Sequence, residues 1–332
     1  MELLRILAML LVLALHANYK SLGNVMPGDI QADPVGNVMR LLFEGISIMC
    51  VNLFVLISGW FAIRPSKKGA CKFLFQCLYF SAGITAICLL TGYAPGSPIQ
   101  IIKSILSVDY WFIPAYIGLY ILAPVINAFI DRCDRRQLLT VTLSYLTLQW
   151  FYGYLFLTDM FCNGYSILSF IGLYLIGRYA RLYMNGISQT TLITALTVSL
   201  LLNCAIGASG TEGTERFLSY TSPLIICQAL ATLILFSRLR IGVNTVINTV
   251  AASSFAVYLF HCHPLLFGHY KTICVALYSE YSSAAYPAMI TLFILVVFAI
   301  SIVLDRPRIF LWKHISRAIE NRREATFDTT TT

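Results

Sequence analysis

Apolar runs long enough to cross a bilayer recur along this chain, and nothing else in it constrains the fold as strongly. They lie near residues 3–20, 41–63, 73–92, 111–130, 139–158, 165–183, 190–208, 221–237, 246–268 and 286–304. A spanning helix needs about 20 mostly apolar residues, and within hydrocarbon a helix satisfies its own backbone polar groups. The expected fold is an all-α integral membrane protein with about ten transmembrane helices. Composition agrees: 58% of the 332 residues are apolar and 11% are charged, against about 25% charged in ordinary soluble domains. The runs at 139–158 and 190–208 are rich in Thr and Ser, and no internal repeat relates two halves of the chain.

The basic residues set the expected orientation. Arg64, Lys67, Lys68 and Lys72, then Arg132, Arg135 and Arg136, Arg178 and Arg181, and Arg238 and Arg240 fall in alternate connections, as do six more in the tail. The opposite connections hold only Lys20, Arg40, Lys103, Arg216 and Lys271. By the positive-inside rule both termini are expected to be cytoplasmic. Residues 1–312 are read as one membrane domain, and 313–332 as a short, charged, disordered cytoplasmic tail. The other side carries longer loops, near 21–40, 93–110, 209–220 and 269–285, that could roof a site open to the outside.

A net charge of +8 and a pI near 9.0 would raise nucleic acid as a partner of a soluble protein. Here the cations sit in short loops and no basic soluble domain exists to hold it, so the bilayer is the expected partner and nucleic acid is not. The ten cysteines fall mostly inside apolar runs, with no Cys-x-x-Cys pair and no zinc-like spacing. They read as small apolar side chains, and no metal site is expected. The absence of an Asn-x-Ser/Thr sequon fits a bacterial protein.

Ionisable residues inside apolar spans are expensive and are functional candidates by default. The first run holds two, Arg5 and His16, eleven residues apart. On a helix that separation is within about 20° of three full turns and rises about 16 Å, so both lie on one stripe. Glu44 is the acidic residue deepest in any run and falls at the depth of His16. The expected pair could fix the imidazole tautomer and leave the second ring nitrogen as a general base, or simply tie two helices together. Farther along the second run, Asn52, Ser58 and Gly59 are small or polar groups suited to close helix packing. Arg64, Lys67 and Lys68 share the cytoplasmic face with Arg5, where together they suit a phosphate-rich donor. Asp109, Tyr110 and Trp111 precede the fourth helix, either as interfacial anchors or as a sugar-stacking platform. In the ninth run, His261 and His263 lie about 200° apart on a helix and cannot both face one site. Asn52 and His261 join Asp109, Tyr110 and Trp111 as candidate acceptor-binding residues.

Taken together these residues resemble the membrane acyltransferase type 3 family. Arg5 and His16 match its Arg-x10-His signature, and Cys50-Val-Asn-Leu-Phe-Val-Leu-Ile-Ser58-Gly59-Trp60-Phe61 looks like its second-helix motif. Tyr110-Trp-Phe and Ser254-Phe-Ala-Val-Tyr258-Leu-Phe-His261 resemble its later helices. The likeness runs from Leu3 to about Pro307. It implies an O-acyltransferase of the bacterial inner membrane, moving acetyl from cytoplasmic acetyl-CoA, or another acyl-CoA, to a hydroxyl of a surface polysaccharide or lipid-linked glycan. Acyl-CoA is then a co-substrate, and no bound cofactor is expected. In that reading Arg5, Arg64, Lys67 and Lys68 bind acyl-CoA, and His16 with Glu44 is catalytic. The competing readings are a glycolipid or polysaccharide-precursor transporter or flippase, and a structural membrane partner.

Overall fold

A computed structural model describes residues 1–93, 97–107, 109–209, 218–281, 283 and 285–330. Among them the chain is helical and contains no strand. The helices are α1 Glu2–Leu22, α2 Pro27–Ala32, α3 Pro34–Ser47, α4 Cys50–Phe61, α5 Lys67–Leu90, α6 Pro98–Ile105, α7 Phe112–Ile130 and α8 Arg135–Gln149. They continue as α9 Ile167–Tyr183, α10 Gln189–Ser209, α11 Pro223–Ser237, α12 Thr245–Ala251, α13 Ser254–His261, α14 Phe267–Glu280 and α15 Tyr286–Thr330. Among the described residues, six segments are long and apolar enough to cross a membrane: α1, α3 with α4, α5, α7, α10 and the Tyr286–Ile319 part of α15. Two shorter apolar segments, α11 and α12 with α13, add to these.

Short polar side chains start many of the helices, each taking up a backbone N–H that would otherwise lack a partner. Asp33 accepts from Gly36 at α3, Ser66 from Gly69 at α5, and Asn244 from Ile247 at α12. Ser97 with Gln100 and Asp134 with Gln137 form reciprocal caps on α6 and α8. Pro27, Pro34, Pro98 and Pro223 stand in the first turn of their helices, where a missing N–H removes no bond.

Three of the apolar runs are interrupted. The second run breaks at Ile48–Met49, where the Gln228 side chain donates to the Gly45 carbonyl at 2.7 Å; a side chain inserted into the backbone ladder is a recognised cause of such a break. The run at 139–158 leaves α-helical geometry at Trp150 and continues as a π-helical turn, Trp150–Leu155. The ninth run breaks at Ala252–Ser253 and ends at His261, so α13 stops before Pro264 where a kinked continuation was expected. Three of the expected outer loops hold helices, 21–40 α2 and the start of α3, 93–110 the short α6, and 269–285 most of α14. Residues 210–217 of the expected 209–220 loop, and Thr331 and Thr332 of the tail, lie outside the described residues.

The bundle is built around α1. Leu4, Ala8, Leu13, Leu15 and Ala17 are at most 1% exposed, and the helix packs against α3, α4, α12, α13, α14 and α15. α4 and α9 approach backbone to backbone. A Cβ on Gly59 would sit 2.3 Å from the Tyr174 carbonyl oxygen, and one on Gly177 would sit 2.6 Å from that of Leu56. The Ser58-Gly59 segment therefore serves helix contact, as its small residues suggested.

Candidate active site

His16 sits in the last third of α1, buried, with α13 ending beside it. Its Nδ1 lies 2.9 Å from Nε2 of His261, the last residue of α13, and the Nδ1 of His261 is 2.6 Å from the Val257 carbonyl oxygen one turn back. A carbonyl oxygen can only accept, so His261 carries its proton on Nδ1. For neutral rings, its Nε2 is then a lone pair and must accept from His16 Nδ1–H. The consequence falls on His16: its Nε2 is left unprotonated. Among the described residues that nitrogen has no hydrogen-bond partner, and His16 lines a small, largely apolar cavity with Met9, Val12, Phe54, Trp111, Phe255 and Tyr258 among its walls. Phe267 closes the other side of the ring in an edge contact. The Cys262 thiol completes the cluster, with Sγ 3.4 Å from His16 Nδ1 and 3.2 Å from His261 Nε2.

The expected His16–Glu44 pair does not form in this structure. One Glu44 oxygen accepts from Asn18 Nδ2 at 3.2 Å, and the other has no partner among the described residues. Asn18 also accepts from Arg40 Nε, and Arg40 donates further to Asn37 and to the Gly23 carbonyl. Arg40 stands one helical turn before Glu44 and is itself buried. The opposite charge that a buried carboxylate needs therefore comes from its own helix, through Asn18, rather than from His16.

At the other end of the stripe, Arg5 Nη1 bonds Glu2 at 2.8 and 3.0 Å, and its guanidinium stands 5.8 Å from the centre of the Phe61 ring at the end of α4. Arg64 follows on a short segment fixed from two helices. Tyr174 accepts from Ile63 N–H, Asn127 donates to the Ile63 carbonyl, and Tyr120 accepts from Ser66 N–H, all at 2.8 Å. Lys67 and Lys68 open α5 and are exposed. The four cations therefore belong to the same end of the bundle, the Arg64 segment being held and the lysines projecting from it.

The remaining candidates divide. Trp111 lines the cavity, against Tyr165 and Tyr220. Asn52 does not: it is fully buried and donates to the Tyr220 carbonyl, supporting a wall of the cavity. Tyr110 is also buried, its hydroxyl donating to Leu259, which holds α13 in place. Asp109 is exposed and is absent from the cavity wall. His263 faces away from His16, toward Ser81 and Thr85 of α5. Sequence reasoning did not single out Cys262, Tyr120, Asn127 or Tyr174. Aromatic and thiol side chains in apolar runs carry no signal of their own until the helices are brought together.

A family model described as an acyltransferase domain matches residues 1–306 of the chain. No curated protein and no solved structure matches it.

Proposed function

The chain belongs to the acyltransferase type 3 family, and on that premise we propose that it moves acetyl from cytoplasmic acetyl-CoA to a hydroxyl of a surface polysaccharide or related glycan. The observation that carries this reading is His16, its Nε2 without a partner among the described residues, lining a largely apolar cavity on the same helical stripe as Arg5. Ten membrane crossings with cytoplasmic termini, in a bacterial inner membrane, put Arg5 on the donor side and His16 in the outer half of the bilayer.

Arg5, Arg64, Lys67 and Lys68 hold the CoA phosphates. The rise of about 16 Å from Arg5 to His16 is spanned by the pantetheine arm, whose thioester enters between Met9, Val12, Val51 and Phe54. His16 Nε2 takes the proton of the acceptor hydroxyl as its oxygen attacks the thioester carbonyl. The C–S bond breaks, and CoA leaves with a proton returned from His16. In the two-step alternative, Nε2 attacks the thioester carbonyl and CoA leaves as thiolate; the acceptor hydroxyl then displaces the acyl group from Nε2, and its proton goes to the thiolate. In both routes His261 keeps the lone pair on the reacting nitrogen. Apolar walls exclude water that would otherwise hydrolyse the thioester.

The test uses inside-out vesicles and radiolabelled acetyl-CoA with mixed surface glycans as acceptor. His16→Ala abolishes transfer of label while the protein stays inserted. Transfer at the wild-type rate in that variant overturns the assignment of His16.

A further inference from the structure

We propose that His16, His261 and Cys262 form a binding site for a zinc-type divalent cation, and that the bound ion silences the transfer assigned to His16. The three donor atoms come from two segments far apart in the chain, the end of α1 and the end of α13 with the residue after it. They form a triangle with sides of 2.9 Å (His16 Nδ1 to His261 Nε2), 3.2 Å (His261 Nε2 to Cys262 Sγ) and 3.4 Å (Cys262 Sγ to His16 Nδ1). Tetrahedral zinc with nitrogen ligands at 2.0–2.1 Å and sulfur at 2.3 Å needs edges of about 3.3–3.6 Å. An outward shift of a few tenths of an ångström makes the site.

The surroundings suit a metal for a second reason. A metal-bound imidazole ordinarily donates its other N–H to a carbonyl or carboxylate, which fixes the ring and the tautomer. His261 already does so, through Nδ1 to Val257. Two imidazoles and one thiolate leave a fourth position, which zinc ordinarily fills with water or hydroxide. The donor set of nitrogen and sulfur, without a carboxylate, favours zinc over calcium or magnesium. Sequence spacing could not reveal the site, because 245 residues separate His16 from His261.

Silencing follows from one proton. Without metal, His16 carries hydrogen on Nδ1 and a lone pair on Nε2. Metal at Nδ1 takes the place of that hydrogen, so a neutral ring must carry it on Nε2, the nitrogen assigned to the transfer. Binding releases one proton to solvent from the Cys262 thiol, and the His16 proton moves from one ring nitrogen to the other. No lone pair is left to accept a proton or an acyl group. This second half rests on the proposed role of His16; the binding half does not.

The experiment titrates Co²⁺ into purified, metal-stripped full-length protein in detergent and follows the sulfur-to-cobalt charge-transfer absorption. The expected result is a single saturable site in the wild type. Cys262→Ser removes the band and His261→Gln weakens binding by at least about tenfold, whereas Cys71→Ser, which alters an exposed cysteine on α5, changes neither. No band in the wild type, or a band that survives Cys262→Ser, overturns the site. A parallel assay measures acetyl transfer against Zn²⁺, each variant relative to its own chelator-treated rate. Zn²⁺ inhibits the wild type, and Cys262→Ser raises the half-inhibiting concentration at least about tenfold. Saturated metal with an undiminished transfer rate overturns the silencing. Absence of transfer even after chelation counts against the enzyme reading and leaves the cobalt result to decide the site.

Discussion

The His261 ring, fixed through Nδ1 to the Val257 carbonyl, presents Nε2 to His16 Nδ1 at 2.9 Å. This relay decides which nitrogen of His16 is basic, much as a carboxylate does for the histidine of a hydrolytic triad. A second imidazole differs from a carboxylate in one respect. It fixes the tautomer but brings no negative charge to stabilise an imidazolium.

His261 is therefore a positioning residue, and its replacement separates orientation from packing. His261→Leu lets the His16 ring choose either tautomer and either flip, and kcat falls roughly 10²-fold or more with the KM for acyl-CoA little changed. His261→Gln keeps an acceptor in reach of Nδ1–H and restores part of the loss. Equal activity in the Leu and Gln variants, measured with both proteins folded and inserted, would show that His261 only fills space.

The relation of Arg5 to the cytoplasmic end gives a different kinetic signature. Arg5 is partly exposed, and its bond to Glu2 is a surface pair within one helical turn, of the kind worth under about 1 kcal/mol. Removing it leaves the fold intact. Arg5→Ala raises the KM for acetyl-CoA and leaves kcat nearly unchanged, because phosphate contacts are made equally in ground and transition states. Arg64→Ala acts in the same direction. An unchanged KM in both variants would remove the phosphate clamp from the mechanism.

How much of this was legible in the sequence depends on whether a feature is local. The Arg5–His16 stripe could be read because both residues lie on one helix, whose geometry fixes their rise and angle. The division between His261 and His263 could be read for the same reason: a spacing of two sends one to α1 and the other to α5. The Glu44 assignment went differently. Matching depth placed Glu44 level with His16, but depth leaves rotation about the helix axis open, and Arg40 one turn earlier was a nearer source of charge. The break at Ile48–Met49 has only Gly45, a turn earlier, to announce it, and the one at Ala252–Ser253 has no Pro or Gly. The first has its visible support in Gln228, on a helix far along the chain.

Gly59 tests the packing that holds the Arg64 segment. With the Tyr174 carbonyl oxygen 2.3 Å from where a Cβ would stand, neither helix backbone can absorb the added atom without moving. Gly59→Val separates α4 from α9, costs about 1–3 kcal/mol of stability or more, and loosens the Tyr174 contact to Ile63. Reduced thermal stability in detergent together with a raised KM for acetyl-CoA is the expected outcome. Wild-type stability would show that the helices can part freely.

The buried ion pair in α15 makes the sharpest stability prediction. Asp305 accepts from Arg308 through both oxygens, at 2.8 and 2.6 Å, and the two side chains are 0% and 1% exposed. A buried pair contributes little over an apolar replacement of the same shape, but removing one partner strands the other charge at a cost of about 3–5 kcal/mol. Asp305→Ala leaves an unpaired guanidinium and lowers the thermal midpoint strongly. Asp305→Leu with Arg308→Met, which removes both charges, recovers most of the loss. Because the two residues lie three apart on one helix, the coupling is local and the double variant disturbs no other element's charge. A double variant no more stable than Asp305→Ala would show that the guanidinium does more than answer Asp305.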